Sequence, residues 1–148
     1  MTKNYAELFK QETAYKISEE NAEKMIADLV NASGVNLSGF DADRNKANVA
    51  NEICGKIIAA YRSGSIENKE DANGFFVVQK TKHDITLEYR MPLMGDFIGG
   101  DVHGYQMLTN LAGRLTGRGS AVIEKLSGAD MRVMLGLSGF FTLAMNGI

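Results

Sequence analysis

The sequence predicts a mostly α-helical α+β fold: amphipathic N-terminal helices, a central β-hairpin and a C-terminal group of about three helices. Three observations carry this. Apolar residues recur at i, i+3, i+4 and i+7 within 18–34 and again within 43–62, as on one buried helix stripe. Ile85–Tyr89 alternates apolar and polar residues with period two, the mark of a half-buried strand. Composition also shifts along the chain. Residues 1–82 carry 11 Lys/Arg, 12 Asp/Glu and 5 Gly, whereas residues 83–148 carry 5, 6 and 11. Six of the eight methionines lie in the second part.

Asn4–Gln11 is expected to form a short helix capped by Thr2 or Asn4. Ser18 is a good N-cap, and Glu19, Glu20 and Glu23 follow it at the positive end of a helix dipole. Ala22, Met25, Ile26, Leu29 and Val30 supply that helix's buried stripe, and Gly34 closes it. Val35–Phe40 reads as a loop with Leu37 and Phe40 tucked inward. Asp41 or Asp43 caps the next helix, which runs to about Arg62 on a stripe of Val49/Ala50, Ile53/Cys54, Ile57/Ile58 and Tyr61 before Gly64. Ser65–Gly74 is polar and reads as a surface loop. It is the best boundary between a helical part, 1–73, and a second part, 74–148, which either pack as one domain or join loosely.

Phe75–Val78 and Ile85–Tyr89 make the expected hairpin. Pro92 stops its second strand, and Gly95, Gly99 and Gly100 allow a loop. Asp101 is expected to cap a helix from about Val102 to Thr116 with Tyr105, Leu108, Leu111, Ala112 and Leu115 on its apolar face. Gly117 and Gly119 end it, and Ser120 starts a short helix through Leu126. Ser127–Asp130 has the form of a capping box for a last helix reaching Met145, with Met134, Leu135, Leu137, Phe141 and Ala144 buried.

Composition limits the function classes. The chain of 148 residues is 45% hydrophobic with net charge −2, so it lacks the basic excess of a nucleic-acid binder. No run of apolar residues is long enough for a transmembrane helix, and the first residues lack the apolar core of a signal peptide. One cysteine, Cys54, excludes an internal disulfide and points to a reducing cytoplasm.

Local motifs favour structural readings. Asp41, Asp43, Asn45 and Glu52 have calcium-loop spacing, but Lys46 stands where the loop needs glycine, and helix capping accounts for the aspartates. Gly113–Ser120 resembles a phosphate loop only superficially, since Arg118 precedes another glycine where lysine is required. His83 and His103, the only histidines, are not brought together by spacing, and Cys54 sits on a buried stripe as a small filler. No catalytic, cofactor-binding or metal-ligating set emerges, and no cofactor is expected.

The methionines are the remaining signal. A flexible, polarizable thioether suits surfaces that fit varied apolar partners, although methionines also fill a loosened core. Arg90, Pro92, Gly95 and Asp96 read as a structural motif: Pro92 ends the strand, Gly95 permits a turn, Asp96 accepts a backbone N–H, and Arg90 pairs with Asp96 or Asp101.

From Ile85 onward the order is strand, Arg90-x-Pro92-x-x-Gly95-Asp96, a helix ending Leu115-Thr116-Gly117, Ile123–Leu126, Asp130, and an apolar helix through Phe140-Phe141. This order resembles the small tail assembly chaperones of long-tailed phages, including Mu-like ones, over about residues 85–148. The resemblance implies a non-enzymatic protein of the bacterial host cytoplasm. Its implied partner is the helical, aggregation-prone tape measure protein or another tail protein, with a homo-oligomer also possible in such a role. An alternative is a structural tail or head-completion protein retained in the virion. Helix-in-groove contact is the expected mode. Met94, Met107, Leu108, Leu111, Met131, Met134 and Phe141 are the candidate contact residues; plain core is the competing reading for Leu108, Leu111 and Phe141.

Overall fold

The computed structural model describes residues 15–35, 44–82, 85–97 and 104–146. The expected helix at Asn4–Gln11, the inward Leu37 and Phe40, the caps Asp41, Asp43 and Asp101, the glycines at 99 and 100, both histidines and the side chain of Ala144 lie outside the described residues.

Helix α1 (Glu19–Ser33) begins and ends as its sequence dictates. The Ser18 hydroxyl accepts the Asn21 N–H at 3.2 Å, and Gly34, at φ 74°, donates its N–H to Val30 O at 3.1 Å. Ala22 and Leu29 are fully buried, with Met25, Ile26 and Val30 packed at the margin of the core. Helix α2 (Arg44–Arg62) buries Ala50, Ile57, Ala60 and Tyr61. Val49 departs from expectation: it is exposed, because the buried stripe runs through Ala50 and a neighbouring residue lies about 100° around the helix. The chain just before α1 is latched to the end of α2. Lys16 and Ile17 donate their N–H groups to Arg62 O, Arg62 Nε donates to Ile17 O, and the guanidinium lies 3.9 Å from the centre of the Tyr15 ring.

The polar segment expected to be a loop is instead strand β1 (Ile66–Asp71). It pairs antiparallel with β2 (Gly74–Lys80), which pairs antiparallel with β3 (Thr86–Arg90), giving the order β1-β2-β3. Only Ile66 of β1 is buried, which is why the segment carries no apolar alternation. Its inward position is filled by a polar residue that is satisfied locally: Asn68 Nδ2 donates to Met25 O at 2.9 Å, and the Tyr61 hydroxyl donates to Asn68 Oδ1. The expected domain boundary therefore falls inside the turn between two paired strands.

The hairpin of β2 and β3 forms as expected, with Val77 opposite Tyr89 and Gln79 opposite Leu87, all four buried. The buried Gln79 is fully used. Its Nε2 donates to Asp130 O at 2.9 Å, and its Oε1 accepts the Tyr89 hydroxyl at 2.6 Å. Asp130, expected in a capping box, turns its Oδ2 to the Lys82 N–H at 2.9 Å, so it fastens the end of β2 to the last helix.

After β3, Met94–Asp96 forms a 3₁₀ turn. Helix α3 (Tyr105–Thr116) starts later than expected, with Gly104 at its N-cap, and Gly117 at φ 68° closes it. Its exposed N-terminal turn carries Tyr105, expected on the apolar face; burial begins only at Thr109 and continues through Leu111, Ala112 and Leu115. A tight turn leads into the short α4 (Ser120–Ile123). Gly113 is required there, since an added Cβ would lie 2.6 Å from Ser120 N and 2.7 Å from the Gly119 carbonyl carbon.

Helix α5 (Gly128–Asn146) runs against both α2 and α3. It buries Met134, Leu137, Ser138, Phe140, Phe141 and Leu143, more of its circumference than a surface helix would. Gly136 and Gly139 face Lys56 and Ile53 of α2, letting the two helices approach closely. Phe140 and Phe141 meet edge to face with ring centroids 5.9 Å apart. One hydrophobic core takes residues from α1, α2, all three strands, α3, α4 and α5. The fold is mostly helical α+β. Among the described residues, no helix is long and apolar enough to cross a membrane.

Candidate partner-binding surface

The seven candidate contact residues separate into two groups. Met94 is 80% exposed, Met107 40% and Met131 41%, and Leu108 is half-buried. Leu111, Met134 and Phe141 are core residues, which corrects their assignment to a binding surface. The cause is local geometry. Helix α3 projects its first turn into solvent and enters the core beyond it, so Met107 stays outside while Leu111, one turn on, goes inside. Helix α5 is covered around most of its middle, so Met134 packs inward, where the Ser138 hydroxyl lies 3.8 Å from its sulfur, while Met131 in the first turn remains open.

Four exposed large hydrophobic residues, Tyr15, Val49, Leu93 and Tyr105, were not among the candidates. Leu93 is 67% exposed beside Met94, and Tyr105 is 75% exposed one turn before Thr109. Tyr105 sits on the expected apolar face, but in the first turn of α3, which projects into solvent.

The exposed pair Leu93–Met94 rests on a rigid base. Arg90 grips Asp96 with both guanidinium nitrogens, Nη1 to Oδ2 at 2.8 Å and Nη2 to Oδ1 at 2.7 Å. Asp96 Oδ2 also accepts the Leu93 N–H at 2.7 Å, and Arg114 Nη1 donates to Asp96 O at 2.6 Å. The buried Asp96 carboxylate thus ties the end of β3 to the 3₁₀ turn, and the Asp96 backbone carbonyl ties that turn to helix α3. Of the two expected partners for Arg90, Asp96 is the one seen; Asp101 lies outside the described residues. The hydrogen bonds from Arg90 hold the Asp96 carboxyl below its ordinary value, with the Leu93 N–H and both arginine charges adding in the same sense, against burial. Gly95 lies in open space without a positive φ, so the turn does not depend on its being glycine, contrary to expectation.

Beside this turn an open groove of about 810 Å³ runs between α1, the β1–β2 turn and the segment after β3. Phe75, Met91 and Leu93 supply apolar surface to it, and Asp28 and Glu70 also line it.

The groups singled out for chemistry are otherwise placed. Glu52 pairs with Lys56 at 3.5 Å, one turn on along α2, and the aspartates of the calcium-like spacing lie outside the described residues. Among the described residues, no three His, Cys, Asp or Glu side chains gather as metal ligands would. Burial raises the Cys54 thiol, which disfavours the nucleophilic thiolate. Burial likewise raises the hydroxyls of Tyr61 and Tyr89. Comparisons with protein-family models, with curated proteins and with solved structures find no match.

Proposed function

We propose that this protein is a phage or prophage tail assembly chaperone that binds the helical tape measure protein during tail morphogenesis in the host cytoplasm, without enzymatic activity. The observation that carries this reading is the solvent-facing Leu93–Met94 pair, held out from the core by the Arg90–Asp96 clamp. Large apolar side chains presented on a braced turn suit reversible contact with an apolar helix stripe, and methionine adapts to irregular partners. Tyr105, Met107 and Met131 add exposed apolar area. The residues that carry the resemblance support the reading further. Arg90, Pro92, Gly95 and Asp96 form one hydrogen-bonded turn between a strand and a helix, and Leu115-Thr116-Gly117 ends that helix.

Co-expression tests the proposal. The soluble yield of a tape measure protein should rise several-fold in the presence of this chain, and the two should co-purify. Mass spectrometry of finished particles should then find the protein absent. Its presence in fixed copy number would instead identify a structural virion subunit.

A further inference from the structure

We infer that the groove between α1 and the strand ends is the docking site for a partner segment whose apolar residues are flanked by lysine or arginine. This deepens the proposed function, resting on its reading that the partner is a helical protein, by naming the surface and the partner's charge. The first observation is apolar. Phe75 and Met91 are half-buried at the margin of the core, and the exposed Leu93 extends that surface into solvent. The groove is therefore a continuation of the core to the outside, where a partner's apolar side chain removes area from water on both sides.

The second observation is charge. Asp28 and Glu70 line the groove, and a smaller concavity of about 160 Å³ that shares Phe75 and Arg90 adds Asp71 and Glu88. Ion pairs among the described residues engage Glu52, Glu67 and Asp96, and none engages these four carboxylates. Among the described residues, Arg90 is the one cation lining either concavity, and its guanidinium is committed to Asp96. The last turn of α1, which borders the groove through Asn31 and Ala32, carries no basic residue, so the negative end of its dipole adds to the same field. An anionic partner meets repulsion here, and a neutral one leaves the carboxylates without gain. A cationic segment places its apolar stripe on Phe75, Met91 and Leu93 and its flanking charges toward Asp28 and Glu70.

The test uses the full chain and two synthetic amphipathic helices of about five turns, one with leucine and lysine and its twin with leucine and glutamate. Fluorescence anisotropy should show the lysine peptide binding about tenfold more tightly than its twin, with the preference shrinking as salt is raised. Asp28→Lys with Glu70→Lys should remove that preference, and Asp28→Asn with Glu70→Gln should halve it on a logarithmic scale. Both pairs sit at exposed positions, so unchanged thermal melting separates lost binding from lost folding. Amide shifts on titration should concentrate at Asn31, Asn73, Phe75 and Met91. Equal affinity for both peptides, no binding of the lysine peptide, or affinity unchanged in both paired variants would overturn the inference. The proposed function fails separately. A tape measure protein solubilised equally by wild type and the lysine variant removes the groove and keeps the chaperone. A partner that wild type does not solubilise removes the chaperone, and the peptides still decide the groove.

Discussion

Asp96 concentrates more structural work than any other polar side chain near the exposed turn. It receives two hydrogen bonds from Arg90 and one from the Leu93 N–H, and its side chain is nearly enclosed. Asp96→Asn should cost about 2 kcal/mol at pH 7, the scale of hydrogen bonds to a charged group. The pH dependence follows from linkage. The folded-state carboxyl lies below its ordinary value of 3.8, so its stabilisation is fully present above that value and is lost as pH falls through the lower folded one. Urea denaturation of wild type and variant should therefore show a constant gap above about pH 5 that closes in stronger acid. Two glycines give an opposite pair of outcomes. Gly95→Ala, with ordinary φ and open space, should raise stability by about 0.5 kcal/mol by restricting the unfolded chain. Gly113→Ala drives a methyl into the backbone of residues 119 and 120 and should cost about 3 kcal/mol. Chemical denaturation of both variants checks the contrast.

Elements were legible where a repeating pattern and a stop signal agreed. Ser18 and Gly34 bracket α1, Gly64 and Gly117 follow α2 and α3, and the alternation around Leu87 and Tyr89 marks β3. Strand β1 was not legible, because an edge strand that buries only Ile66 has no apolar alternation to read. Its inward Asn68 looks like a loop residue until Met25 O and Tyr61 are placed beside it. Helix α5 was legible as a helix, and its spacing placed Met134, Leu137 and Phe141 inside, but apolar residues surround it, so Met134 and Phe141 stood among the contact candidates together with the exposed Met131. That division has a measurable consequence. Met134→Ala should cost about 2–5 kcal/mol in thermal or urea unfolding. Met107→Ser, on the exposed turn of α3, should change stability by less than about 0.5 kcal/mol while weakening capture of a helical partner.

At the scale of the whole molecule, the compositional split in the sequence does not divide the structure. The charged first part supplies α1, α2, β1 and β2, and the glycine- and methionine-rich second part supplies β3 and the remaining helices. Both parts close over one core, and the chain of Tyr89, Gln79 and Asp130 joins sheet to last helix. Of the seven candidate residues, Met94, Met107 and Met131 are exposed, on the 3₁₀ turn and the first turns of α3 and α5. The sequence could not say which methionines face outward, because that depends on how far each helix projects past its neighbours. The exposed pair on the clamped turn is the feature on which the functional reading stands. The most direct measurement is the soluble yield of tape measure protein co-expressed with wild type, with Leu93→Ser/Met94→Ser, or without this chain. The expected result is a several-fold gain with wild type that falls to the background level with the double variant, whose melting temperature stays within about 2 °C of wild type. Equal yields with wild type and without this chain, or an undiminished gain with the folded double variant, would contradict it.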